Sequence, residues 1–157
     1  MTFDDGYRNN SLWACPVMEY LALPFTVFVV TDFVDKQDLF WFDEVIVTIQ
    51  SSGCTSLDLR GQGLGVFDLP DPDPVRRWDG IQGLLTELKK QEPGKRDRIV
   101  AELSSQARVH DDVSMAFRVL GSVDLQGMVS KGLVEIGSHT GGHEILTDLD
   151  EERIMNT

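Results

Sequence analysis

Residues 24–30 read PFTVFVV; after the proline, every residue is aromatic or β-branched. A short continuous run of this kind, without polar alternation, is how a strand buried on both faces reads. The chain opens with MTF at 1–3, which reads as the tail of another strand. Between the two lie residues 9–22, a polar start followed by Trp13, Val17, Tyr20 and Leu21 near helical spacing. Pro16 fits only in the first turn of that helix, so its regular part is expected to begin near Cys15. Strand, helix and strand in this order predict a parallel βαβ unit and an α/β fold.

The same pattern resumes from Ser122. Ser122 is expected to cap a helix carrying Leu125, Met128 and Val129, with Gly132 ending it. LVEIG at 133–137 is then a further short strand. The intervening chain reads differently. FWFDEVIVTIQSSG at 40–53 is ambiguous: its β-branched residues favour a strand, and Asp43 and Glu44 suit a helix's first turn. TSLDLRGQGLGVFDL at 55–69 alternates and carries glycines, as a small hairpin does. LPDPDPVRR at 69–77 is a loop leading into a helix at 74–90, whose stripe is Trp78, Ile81, Leu84, Leu85 and Leu88. A second helix is expected at 95–106, with Ile99, Val100 and Leu103 inward. The expectation is one incomplete domain over residues 1–157, with a barrel-like βαβ core and a mostly helical insertion at about 36–110.

The 157 residues, 41% hydrophobic and 25% charged, suffice for one globular core. A net charge of −12 repels phosphate backbones and argues against nucleic acid as a partner. Cys15 and Cys54 are too few and too far apart for a disulfide framework or a cysteine metal site, so two reduced thiols are expected. No apolar run is long enough for a membrane segment, and no signal peptide is visible, which makes a cytoplasmic location the expectation. Trp13, Trp41 and Trp78 read as core or interface aromatics.

Two loops carry the chemistry. Asp4 and Asp5 stand side by side directly after the first strand, and Asp-Gly is also a common turn dipeptide. His139 and His143 lie four positions apart in EIGSHTGGHEIL at 135–146, directly after the later strand. On a continuous helix they would share a face about 6 Å apart, but Gly141 and Gly142 favour a loop running into a helix start. In parallel α/β folds the C-terminal strand ends point to one mouth, where ligands bind. A carboxylate from one strand end and two imidazoles from another offer two nitrogens and one oxygen. That set suits zinc or a similar divalent metal and leaves coordination open for water or substrate. Tyr7 and Arg8 follow the aspartates, either lining the mouth or lying on the surface.

TFDDGY at 2–7 followed by EIGSHTGGH at 135–143 resembles the first two motifs of the polysaccharide deacetylase family, the NodB-homology or carbohydrate esterase family 4 domain. PVMEYLALPFTVFVVTDFV at 16–34 resembles that family's helix and second strand, and FWFDE at 40–44 before a long insertion resembles a bacterial subgroup linked to surface polysaccharide. The resemblance implies a partial, distorted (β/α) barrel and hydrolysis of an N-acetyl group on a carbohydrate substrate. It implies Asp4 as catalytic base and Asp5, His139 and His143 as ligands of a divalent metal, zinc being the expected ion.

The family's later motifs, an Arg-Pro-Tyr-Gly wall, an Asp-x-x-Asp-Trp and a late Leu-x-x-His with the general acid, have no counterpart here. His110, in RVHDDVS at 108–114, precedes the second motif and reads as an exposed loop residue. The chain therefore reads as the N-terminal part of a deacetylase, with a second chain as a candidate to complete the barrel, or as an inactive metal-binding remnant. A hydrolase of small amides or cyclic imides on the same scaffold is the other alternative, since fold does not dictate substrate.

Overall fold

In the computed structural model the apolar run becomes the central strand of a parallel sheet. The structure describes residues 1–36, 38–105, 117–149 and 151–154. In chain order its elements are β1 (Thr2–Phe3), α1 (Cys15–Tyr20), β2 (Phe25–Val29), α2 (Trp41–Ser52), β3 (Ser56–Asp58), β4 (Val66–Asp68), α3 (Pro74–Lys89), α4 (Pro93–Ser105), α5 (Ser122–Val129), β5 (Val134–Ser138) and α6 (Glu151–Ile154). The chain divides into two compact units, Met1–Asp38 with Met115–Thr157, and Leu39–Ser114. The fold is mixed α/β. His110 and residues 155–157 lie outside the described residues. None of the described helices is long and apolar enough to cross a membrane.

In the first unit the strand order is β1-β2-β5, all parallel. Phe3 pairs with Val27, and Val29 pairs with Ser138, so β1 and β5 end at the same edge. Phe25, Val27 and Val29 are buried, while Thr26 and Phe28 on the opposite face are half-buried. The strand is therefore sealed on one side and only partly covered on the other, less than its unbroken apolar run predicts. The buried side joins Cys15, Met18, Leu120, Met128 and Val134 in one core, with Phe3 edge-on to Phe25 at 5.6 Å.

The first helix is not oriented as its spacing predicts. Trp13 is 74% and Tyr20 89% exposed, with Val17 and Leu21 also exposed; the buried face is Asn10, Cys15 and Met18. Two features explain the shift. Residues Asn10–Ala14 form a π turn before α1, which inserts an extra residue and rotates every later side chain about the axis. Cys15 and Met18 also form an apolar pair three apart, so the segment offers two apolar faces and periodicity alone could not choose.

The α5 start also differs from expectation. Ser122 is the first helical residue, and the cap position falls to Gly121, which has no side chain to offer. The cap comes instead from Asp35, 87 residues away, whose Oδ1 accepts from the Ser122 N–H at 2.8 Å and from its hydroxyl at 3.1 Å. Asp124 answers in the usual reciprocal way, accepting from the Gly121 N–H at 3.2 Å. Met128 is buried and Leu125 packs on the core, but Val129 is exposed.

The second unit resolves the ambiguous segment as helix. α2 places Asp43 and Glu44 in its first turn and ends at Gly53, whose φ is +63°. β3 and β4 pair antiparallel, as the alternation predicts. α3 starts at Pro74 with Asp73 accepting from the Arg76 N–H, and it buries Ile81, Leu84 and Leu88; Trp78 is exposed. α4 buries Ile99, Val100 and Leu103, as expected. The Arg77 guanidinium donates to the carbonyls of Ile49 at 2.6 Å, Cys54 at 2.8 Å and Leu69 at 2.8 Å. One side chain thus satisfies backbone acceptors from the end of α2 and both flanks of the hairpin.

Two predictions follow from the first unit's packing. A Cβ at Gly137 would lie 2.5 Å from Phe28 Cδ1, its cross-strand neighbour. Gly137→Ala is expected to cost about 1–3 kcal/mol in a denaturant melt, by overpacking. Phe28→Leu in the same chain is expected to recover part of that loss. The Cys15 thiol is pushed up from 9.0 to about 11, by burial first and then by its hydrogen bond to Glu19. Below pH 9 the thiol is protonated in both the folded and unfolded chain. Between about pH 9 and 11 only the unfolded chain releases the proton, so this group's contribution to stability falls as pH rises. A Cys15→Ala chain should show a shallower loss of melting temperature over that window.

Candidate functional site

Because β1 and β5 flank β2 in parallel, the residues that follow each strand emerge at the same edge of the sheet. After β5 the ladder runs one residue further, with the His139 N–H donating to the Val29 carbonyl at 2.7 Å. The chain then turns sharply at Thr140, where φ is +65°. The Thr31 N–H donates to the Thr140 carbonyl at 3.1 Å, and the Asp32 N–H donates to the Gly141 carbonyl at 2.9 Å. The segment leaving β2 thereby holds the histidine loop by its backbone. Within the loop, the Glu144 N–H donates to Thr140 Oγ1 at 3.1 Å, and the Gly142 N–H donates to Glu144 Oε2 at 2.9 Å. Burial pushes the Glu144 carboxyl up, but the bonds from Gly142, its own backbone and Thr140, with the nearby His143, outweigh it and hold the carboxyl below its ordinary range.

The aspartate loop is equally constrained. Asp5 has φ +68° and Gly6 has φ +71°. A Cβ on Gly6 would stand 2.8 Å from Val29 Cγ1, so the turn is closed to any larger residue both sterically and by its backbone angle. His143 also has φ +62°. Asp5, Thr140 and His143 are thus three non-glycine residues in the left-handed region, a conformation that persists only where surrounding bonds over-determine it.

The outcome of these two turns is a cluster. His143 Nε2 lies 2.9 Å from Asp5 Oδ1, and His139 Nε2 lies 3.3 Å from the same oxygen. The imidazole centroids are 5.2 Å apart with the rings inclined at 65°. One ligand atom from each of the three residues lies within 4.8 Å of the others, and all three residues are half-buried. A cation bound at about 2.1 Å with angles of 90–110° separates its ligand atoms by about 3.0–3.4 Å. The 3.3 Å contact falls within that range and the 2.9 Å contact just short of it, and two imidazoles with one carboxylate are a donor set for a borderline divalent ion. Asp4 stands outside the cluster, with its side chain exposed.

The aspartate and histidine pairs are visible in the sequence, and the structure brings Asp5, His139 and His143 together across 138 positions. Thr31, Thr140 and Glu144, which fasten the histidine loop, are not singled out by the sequence. Their one local signal is position: Thr140 and Glu144 each directly follow a histidine. Comparison with protein-family models, with curated proteins and with solved structures finds no match for this chain.

Gly6→Ala is expected to destabilise the chain by about 2–4 kcal/mol, combining left-handed strain with overpacking against Val29. The measurement is a urea melt. A stability equal to the parent's would mean that the turn relaxes without cost.

Proposed function

We propose that this chain carries a divalent-metal amide hydrolase site of the polysaccharide deacetylase type, acting on an N-acetylated carbohydrate. The observation that carries the reading is the convergence of His139 and His143 on one oxygen of Asp5, at the C-terminal edge of a parallel sheet. The resemblance of residues 2–7 and 135–143 to the family's first two motifs points to the same chemistry. On this reading the three parallel strands belong to a distorted (β/α) barrel of the NodB-homology type.

Asp5, His139 and His143 would hold the ion, with zinc the best match to two imidazoles and a carboxylate. When bound, a divalent ion supplies Lewis acidity, polarising an amide carbonyl and acidifying water. The remaining work falls to the chain's own groups. Asp5, fixed by its turn and by contact with both imidazoles, is committed to orientation and cannot also serve as a free base. Asp4, one residue earlier and exposed, keeps its carboxylate available to accept the proton of the attacking water on Oδ1 or Oδ2. Adjacent aspartates thereby divide holding from proton transfer.

A metal-holding module without turnover is the second reading. It is favoured by one observation: among the described residues there is no third histidine to protonate a leaving amine. Calorimetric zinc titration and acetate release from N-acetylglucosamine oligomers separate the readings. Zinc is expected to bind the parent at a single site, with binding lost in Asp5→Ala and His139→Ala. Asp4→Asn is expected to keep zinc and lose about a hundredfold or more in acetate release. Unchanged zinc binding in both ligand variants overturns the site. Zinc binding without acetate release by the parent chain establishes the second reading.

A further inference from the structure

The loop that carries Asp5 continues into a second polar feature. The Leu120 N–H donates to the Gly6 carbonyl and the Arg8 N–H donates to the Arg118 carbonyl, each at 2.8 Å, on either side of an antiparallel bridge between Tyr7 and Val119. This register sets Arg8 directly opposite Arg118. Like charges on opposed residues of paired strands destabilise the pairing. Asp124 Oδ2 lies 3.6 Å from Arg8 Nε, beyond hydrogen-bond reach, and it already accepts from Gly121. Among the described residues, Asp124 is the one carboxylate within ion-pair distance of either cation.

Among the described residues, the buried side-chain nitrogens and oxygens without a partner are Arg8 Nε, Arg118 Nε and Asn10 Nδ2. All three are donors. They belong to the loop after β1 and to its cross-strand neighbour, and Asn10 is only 6% exposed. Leaving such donors unmatched is costly, and buried donors lacking acceptors call for an acceptor-rich partner. The Arg8 side chain retains 38% exposure and Arg118 is half-buried, so a small solute can reach the pair. The site is all the more distinctive in a chain of net charge −12, whose overall field repels anions.

We propose that Arg8 and Arg118, supported by Asn10, form an oxyanion-binding subsite that takes the carboxylate or phosphate group of a ligand. Arg8 lies three residues beyond Asp5 on the same loop, close in the chain to the cluster of Asp5, His139 and His143. The assignment of that oxyanion to the substrate rests on the hydrolase reading, and it makes the substrate an N-acylated sugar acid or sugar phosphate. Oxyanion binding itself does not depend on that reading.

The test is calorimetric titration of metal-stripped protein with inorganic phosphate and with acetate. Saturable binding is expected. It should weaken by about tenfold or more in Arg8→Gln and Arg118→Gln, as loss of a charge-assisted bond requires. It should also weaken with added sodium chloride and persist in His143→Ala. Arg118→Lys, which keeps the charge but loses the planar fork, should bind more weakly than the parent. Tighter binding of phosphate identifies a phosphorylated ligand, and tighter binding of acetate identifies a carboxylated one. Phosphate binding that survives while zinc binding fails leaves the subsite standing without the hydrolase. The proposal is overturned if neither anion binds saturably, or if Arg118→Gln or Arg118→Lys binds like the parent. Binding lost in His143→Ala but intact in a folded Arg118→Gln, checked by circular dichroism, also overturns it.

Discussion

The parallel pairing of β2 with a neighbour on each side is the constraint on which the rest of this structure depends. Parallel strands end in the same direction, so pairing Phe3 with Val27 and Val29 with Ser138 delivers the residues after β1 and β5 to one edge. Asp5 and His143 are separated by 138 positions and still meet at 2.9 Å. A slip of one residue would turn Phe25, Val27 and Val29 away from the core. The burial of those three side chains therefore sets the register, and the register sets the site.

Beyond the strand ends, precision comes from strain held in place by backbone bonds. Asp5, Thr140 and His143 adopt left-handed angles that L-residues avoid. Each is fastened locally: Gly6 packs its bare Cα against Val29, Thr31 and Asp32 grip Thr140 and Gly141, and Thr140 in turn accepts from Glu144. Rigid strands supply the platform and short clamped turns supply the aim, an arrangement suited to groups that must share one small ligand. Arg8, which follows on the aspartate loop, stands opposite Arg118 on a separate segment.

The unit Leu39–Ser114 is organised on different terms. Its core is helical, built from Val45, Ile49, Ile81, Leu84, Leu88, Ile99, Val100 and Leu103, with Leu59 and Leu69 contributed by the hairpin segment. Arg77 is the polar counterpart of that core, donating to three backbone carbonyls at its edge. Trp41, read as a core or interface aromatic, packs partly buried against that core and also receives the Arg96 guanidinium 4.9 Å above its ring.

What the sequence determined by itself was local and compositional. The aromatic and β-branched run at 24–30 has few alternatives to a strand, and α3 and α4 bury inward residues their spacing identifies. The histidine pair was legible because a rare residue type sat directly after a strand, and the aspartate pair because two like charges stood side by side after another. Tertiary structure decided whatever local pattern left degenerate. Segment 10–21 has two apolar faces, and a π turn together with the shape of the core chose Cys15 and Met18 over Trp13 and Tyr20. Segment 40–53 satisfied both helix and strand patterns, and packing against α3 and α4 made it a helix. The cap that Asp35 places on α5, and the opposition of Arg8 to Arg118, join residues that are remote in the chain. No periodicity encodes such pairs, because they arise only when separate segments are brought to the same edge and must satisfy one another's hydrogen bonds and charges.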